Sequence, residues 1–272
     1  MTQNAPLASS VAACGSGIGR RAAMHLDLSF RTMTRHSGGE LGPLYLRWVT
    51  REAHPMGNLV IAAGEGDAAS MREATAPLVQ ANLPSTVIFP SGASGAASAA
   101  LLDAGFADIG SMPAMAVDID RLSATAMPEG YTFRRAGPDA SGDAWAEALA
   151  VGYHMPPSLG RRFAPSCMDV DMGSDAAIQF FSIERDGAVV ATSTLFLADG
   201  LAGIYCVATR EEHRKRGLGA HVTAEPLRIA RRLGYRVGVL QSSSAGHPVY
   251  LGLGFADVAT IPMFARMPKP GA

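Results

Sequence analysis

The sequence predicts an α/β chain of the α+β kind, in which two tandem copies of one unit each set a mixed, mostly antiparallel sheet against flanking helices. Three observations predict it. Gly105-Phe106-Ala107-Asp108-Ile109 and Gly254-Phe255-Ala256-Asp257-Val258 are nearly the same five residues 149 positions apart, and a proline follows each, Pro113 and Pro262. Self-similarity at a fixed offset marks a duplicated unit and is sought before any fold is assigned. Residues 180–208 then read as a meander of apolar strands punctuated by Asp186-Gly187, whose positive φ angles suit a two-residue hairpin turn. Finally, the strand at 201–208 runs through a glycine-containing turn into a helical pattern.

At 272 residues and 48% apolar, the chain is long enough for two cores. The break between the halves falls at 123–130, where small residues, Pro128 and Gly130 interrupt the periodicity, giving units 1–125 and 126–272. The net charge of −1 supplies no field that would draw the chain to nucleic acid or to an anionic membrane, so neither is an expected partner. Cys14, Cys167 and Cys206 are odd in number and lack CxxC spacing, which argues against a disulfide frame and against a metal site, and fits a reducing cytoplasm. The first basic residues, Arg20 and Arg21, follow the N-terminal apolar stretch, the reverse of a secretory signal. No apolar run approaches the ~18 residues of a membrane span. Lysine occurs only at Lys215 and Lys269 against 21 arginines, which with the abundant alanine points to a high-GC, bacterial genome.

Along the chain, Gly15-Ser16-Gly17-Ile18-Gly19 imitates a dinucleotide-binding turn. Such a turn needs a strand before it and a βαβ unit around it; only 11–14 precedes, so a flexible or short helical segment is expected there. Thr86-Val87-Ile88-Phe89 is a strand, followed by a small-residue loop and a short helix, and 237–240 repeats that order in the second half. Tyr131-Thr132-Phe133-Arg134-Arg135 alternates as a first strand, and 143–152, with Trp145, Leu149 and Val151, suits a helix. Phe180 to Glu184 and Val189 to Phe196 form the hairpin, and Leu201 to Ala208 adds the next strand. The helix after Gly217 extends to Leu233 with Leu218, Val222 and Ile229 near one stripe, and Gly234 closes it. Pro226 inside it removes the hydrogen bond to the Val222 carbonyl, and a bend is expected.

The residues with most chemical content are Val207-Ala208-Thr209 and Arg214-Lys215-Arg216-Gly217-Leu218-Gly219-Ala220. A strand feeding a glycine turn that opens a helix presents a row of free N–H groups to a phosphate. Gly217 and Gly219 let the main chain approach a ligand, and the three basic residues add charge. The spacing Arg214-x-x-Gly217-x-Gly219, with Tyr250-x-x-x-Gly254-Phe255 downstream, resembles the acetyl-CoA loop and the helix-to-strand corner of the GCN5-related N-acetyltransferases (GNAT). The resemblance covers about 131–266, one full domain, and implies that each half is a GNAT fold, only the second carrying the acetyl-CoA motif.

The resemblance further implies acetyl-CoA as co-substrate, with its pantetheine arm along Val207 and Thr209 and its pyrophosphate on the amides of 214–220. A main-chain N–H near Val207 would polarise the thioester carbonyl, and Tyr250 would be the general acid. Ser243 stands where many relatives have an asparagine that contacts the pantetheine, and a hydroxyl cannot make both of that amide's bonds. The implied activity is transfer of acetyl to a primary amine of a small molecule or peptide by direct attack in a ternary complex; a CoA-binding regulatory or sensor module without turnover is the alternative, and a homodimer is left open. Glu184 and His154 are candidate bases for which a solvated or structural role is favoured, with a water chain as substitute. Cys206 reads as a small buried side chain, since no His and acid accompany it. In the first half, Leu101 takes the place of Tyr250, and Gly64-Glu65-Gly66-Asp67 takes that of the basic loop. Carboxylates there would repel a pyrophosphate, so that half is expected to be structural.

Overall fold

A computed structural model describes residues 7–168 and 173–268. Eleven strands form one continuous sheet: β1 (Gly39–Leu41), β2 (Tyr45–Val49), β3 (Asn58–Ala62), β4 (Ser85–Ile88), β5 (Ala107–Asp118), β6 (Thr132–Ala136), β7 (Ile178–Arg185), β8 (Ala188–Ala198), β9 (Leu201–Thr209), β10 (Val237–Gln241) and β11 (Ala256–Arg266). The helices are α1 (Gly17–Thr34), α2 (Ala68–Gln80), α3 (Gly95–Asp103), α4 (Ala140–Gly152), α5 (Pro157–Arg161), α6 (Leu218–Arg232) and α7 (His247–Gly252). Among the described residues no helix is long and apolar enough to cross a membrane.

The order across the sheet is β1-β2-β3-β4-β11-β5-β10-β9-β8-β7-β6. The last strand of each half has therefore crossed into the other: β11 lies against β4, and β5 lies against β10. The two crossing strands pair with each other, antiparallel, and their register shows the duplication directly. Met112 faces Ile261, its own counterpart 149 residues on, while Ser111 faces Pro262 and Pro113 faces Thr260, one step to either side. A bulge interrupts the ladder on each side of this centre. The axis relating the halves thus passes through the Met112–Ile261 pair.

Alternation sorts the strand side chains onto two faces. Leu59, Ile61, Phe180, Val237 and Val239 face one way, under α1, α4 and α5. Phe181, Leu195, Ile204 and Leu240 face the other way under α6 and α7, and Val60, Val87 and Phe89 do so under α2 and α3. Asp186 and Gly187, at φ 50° and 79°, make the β7–β8 turn as expected.

The glycine-rich N-terminal segment departs from expectation. Gly17 opens not a short helix but one of eighteen residues, whose Ile18, Ala22, Leu26, Phe30 and Met33 are buried across the middle of the sheet. Gly19 is there for packing, because a Cβ at that position would stand 2.3 Å from the Val258 carbonyl oxygen of β11.

Helix α6 runs through Pro226, which has no N–H to offer the Val222 carbonyl. Ser193 of β8 supplies the missing donor, its Oγ lying 2.7 Å from that oxygen. Gly234, at φ 102°, ends the helix, and the Tyr235 amide returns to the Ala230 carbonyl as a glycine C-cap requires.

Candidate active site

Strand β9 is regular from Leu201 to Tyr205 and then breaks step. Thr194 of β8 faces Tyr205 and Thr192 faces Ala208, so Cys206 and Val207 stand opposite Ser193 alone. Cys206 is at φ 51°, a left-handed conformation that L-residues avoid unless their surroundings enforce it. The Thr192 hydroxyl fixes it by donating to the Cys206 carbonyl at 2.8 Å. A bulge of this kind takes a main-chain group out of the ladder and re-aims it, and such bulges concentrate beside active sites. Strands β9 and β10 pair in parallel only at Ala202–Gly238 and Gly203–Val239, and beyond the bulge they part.

The chain leaves β9 at Thr209, makes a single tight turn at Glu211–His213 and reaches Arg214. Tyr131 ties this turn down: its hydroxyl is 3.0 Å from His213 Nδ1 and accepts from Arg185 at 3.0 Å. Lys215 and Gly217 both take positive φ, 61° and 79°, and turn the chain into α6. The first helical bond runs from the His221 amide to the Gly217 carbonyl, and no side chain caps the helix, so the amides of Leu218, Gly219 and Ala220 are open. Arg214, Lys215 and Arg216 are exposed around them. A Cβ on Gly217 would meet nothing within 4 Å and one on Gly219 only the Thr209 Oγ1 at 3.9 Å, so packing demands neither glycine; the positive φ suits Gly217, and both leave the approach to the amides open.

Where β9 and β10 diverge, a cavity of about 360 Å³ opens, and Val207, Ser243 and Tyr250 all line it. Ala208 and Thr209 continue the strand from there to the α6 terminus. Tyr250, in the last turn of α7, is 8% exposed and packs edge-on to Phe255. Burial pushes its phenol up to about 12. The Cys206 thiol in the same wall is likewise pushed up to about 12 by burial. The side chain is half-buried and lines the cavity, not the fully buried packing residue expected from the sequence. Ser243 Oγ accepts from the Gly246 amide at 3.2 Å, which shapes the loop before α7.

The counterpart site in the first half is closed by its own side chains. Asp67 caps α2, its carboxylate accepting from the Ser70 amide at 2.8 Å and the Ser70 hydroxyl at 2.9 Å, and these bonds lower its pKa. The anion position at the helix end is thereby filled by a fixed negative charge. Phe89 and Leu101 are fully buried in the adjoining core, and a Cβ on Gly66 would already meet Phe89 at 3.2 Å. Strands β3 and β4 pair in parallel at Leu59–Thr86, Val60–Val87 and Ile61–Ile88.

Neither candidate base lines the cavity. Glu184 pairs with Arg134 at 2.9 Å on the sheet edge, and His154, at φ 53°, is the exposed turn residue between Tyr153 and Met155, which do line it. Several cavity residues had no signal as site residues: Leu26, Phe30 and Met33 of α1, Met56 and Ile88 of the first half, Met112 of β5 and Met263 of β11. The strand exchange brings them to the second half's site. Tyr205 and Tyr153 belong to the same wall, each with its phenol raised by burial.

Residues 149–255 match the acetyltransferase (GNAT) family. A search of curated proteins gives no match. Among solved structures, a GCN5-related N-acetyltransferase from Kribbella flavida superposes with a TM-score of 0.64 at 21% identity, over 92% of this chain and 96% of that one. A GCN5-related N-acetyltransferase from Sphaerobacter thermophilus gives 0.58 at 18% identity, over 97% and 96%. A GCN5-related N-acetyltransferase-like protein from Streptococcus suis gives 0.53 at 13% identity, over 93% and 100%. At these identities the likeness fixes the fold: this chain is built as those acetyltransferases are, along nearly its whole length.

Proposed function

We propose that a chain with this fold works as an acetyl-CoA-dependent N-acetyltransferase, with one site, in the second half. The observation that carries the reading is the open start of α6: three uncapped amides ringed by Arg214, Lys215 and Arg216, where the equivalent helix of the first half is plugged by Asp67. The positive end of α6 and the basic residues would hold the pyrophosphate, and β9 from Thr209 back to Val207 would align the pantetheine arm. The main chain re-aimed by the Cys206 bulge would polarise the thioester carbonyl. A neutral primary amine held beside it adds to the carbonyl carbon, the C–S bond breaks as the intermediate collapses, and the proton shed by the nitrogen passes to water, the gain coming from positioning two reactants in one cleft.

Tyr250 serves the departing sulfur. A phenol near 12 stands well above the ordinary ~8.5 of a thiol, which by itself would make proton transfer uphill. Tyr250 lines the same wall as Val207, which places its hydroxyl where it could donate to the sulfur as the thioester breaks, at the cost of a less acidic phenol. Ser243 would offer the pantetheine one hydrogen bond.

The test is thiol release from acetyl-CoA with a panel of primary amines, alongside direct measurement of acetyl-CoA binding. Tyr250→Phe is expected to lower turnover about 100-fold, within the usual range for a lost acid–base group, and to leave acetyl-CoA affinity within about twofold. Unchanged turnover removes the acid assignment. Acetyl-CoA binding with no release across the whole panel would instead favour a CoA-binding regulatory module.

A further inference from the structure

The cavity beside Tyr250 has a composition that constrains its occupant. Among the described residues, no Asp, Glu, Lys, Arg or His lines it. Its far walls are Phe30 and Met33 of α1, Met56, Met112, Phe163 and Met263, drawn from both halves and joined only because the terminal strands cross over. At about 360 Å³ it lies at the lower end of the roughly 300–1,000 Å³ of small-molecule sites. Methionine is unbranched and polarizable, and a wall rich in it adapts to apolar bodies of differing outline.

Two consequences follow for a ligand. A second ammonium group, as in a polyamine, an aminoglycoside or a basic peptide side chain, would be desolvated there without a counter-charge, the costliest form of burial. An aryl or alkyl body would exchange water for matching apolar contacts.

Resting on the acetyl-transfer reading, we infer that the acceptor is a small primary amine with an uncharged apolar body. The body fills the methionine-lined cavity, and the nitrogen, neutral when it reacts, faces the thioester.

The experiment compares 2-phenylethylamine and hexylamine with putrescine, spermidine and lysine as acceptors, and acetyl-CoA with hexanoyl-CoA as donors, in wild type and in Met56→Trp. Met56 is half-buried in a short turn, so a larger side chain can be placed there without rebuilding the sheet. The expected result is kcat/KM at least 100-fold higher for the apolar amines than for the polyamines and lysine. In Met56→Trp, KM for 2-phenylethylamine should rise at least tenfold with acetyl-CoA affinity unchanged. Polyamines or lysine used equally well or better would overturn the inference, as would preference for hexanoyl-CoA, which would show that the cavity holds the acyl chain. Calorimetric binding of N-acetyl-2-phenylethylamine requires no turnover: binding lost in Met56→Trp supports the cavity assignment even if transfer fails, and no binding to wild type refutes it even if transfer succeeds.

Discussion

The Val222 carbonyl provides a quantitative check on how α6 is held at the site. Pro226 deprives this buried oxygen of its helical donor, and the Ser193 hydroxyl, itself fully buried, replaces it at 2.7 Å. Ser193→Ala should leave a buried acceptor unmet and cost about 1–3 kcal/mol. In a Pro226→Ala background the new amide reaches the same carbonyl through the ordinary helical bond, so there Ser193→Ala should cost about 1–2 kcal/mol less. Equilibrium urea unfolding of the four proteins measures the coupling; with a slope near 3 kcal/mol/M, 2 kcal/mol displaces a midpoint by roughly 0.7 M. If the two effects add to within about 0.3 kcal/mol, Ser193 is not compensating for the proline and the reasoning is wrong.

The N-terminal helix supports two further predictions. His25 is fully buried, and burial pushes its imidazole down to about 4, while the unfolded chain keeps it near 6.5. Above 6.5 both states are neutral there and nothing is lost; between 6.5 and 4 only the unfolded chain takes the proton, so stability falls by about 1.4 kcal/mol per pH unit, ~3 kcal/mol in all. Urea unfolding at pH 7.5, 5.5 and 4.5 should show this slope in wild type and its loss in His25→Asn; parallel slopes would refute it. Among the glycines, Gly19→Ala forces a Cβ into the Val258 carbonyl and should cost about 1–3 kcal/mol, whereas Gly17→Ala meets nothing within 4 Å and should be neutral or slightly stabilising. Thermal unfolding separates the two, and acetyl-CoA affinity should be unchanged in both.

What could be read in advance was local. The β7–β8 turn rests on Asp186-Gly187, the start of α6 on Gly217, and the repeat on two five-residue matches, all properties of neighbouring residues. Helix α1 had its signal too, apolar residues at 18, 22, 26, 30 and 33, masked by Arg20, Arg21, His25, Asp27 and Ser29 and by three glycines that drew attention to a different motif. The strand exchange had none, because pairing β4 with β11 or β10 with β5 leaves the alternation of each strand unchanged. With it went the cavity, whose walls lie up to about 240 positions apart in the chain and meet only through that pairing. The bulge at Cys206 was equally silent, since nothing in a cysteine announces a left-handed backbone.

In a two-fold dimer of identical chains, every substitution at the axis is made twice, and both copies of a catalytic groove must change together. Here the two sides of the axis, Met112 and Ile261, are written at separate places in one sequence. Each groove is consequently free to differ from the other: one is solid, with Phe89 and Leu101 as ballast and Asp67 as its stopper, while its twin has an entrance and uses the solid partner's flank as a floor.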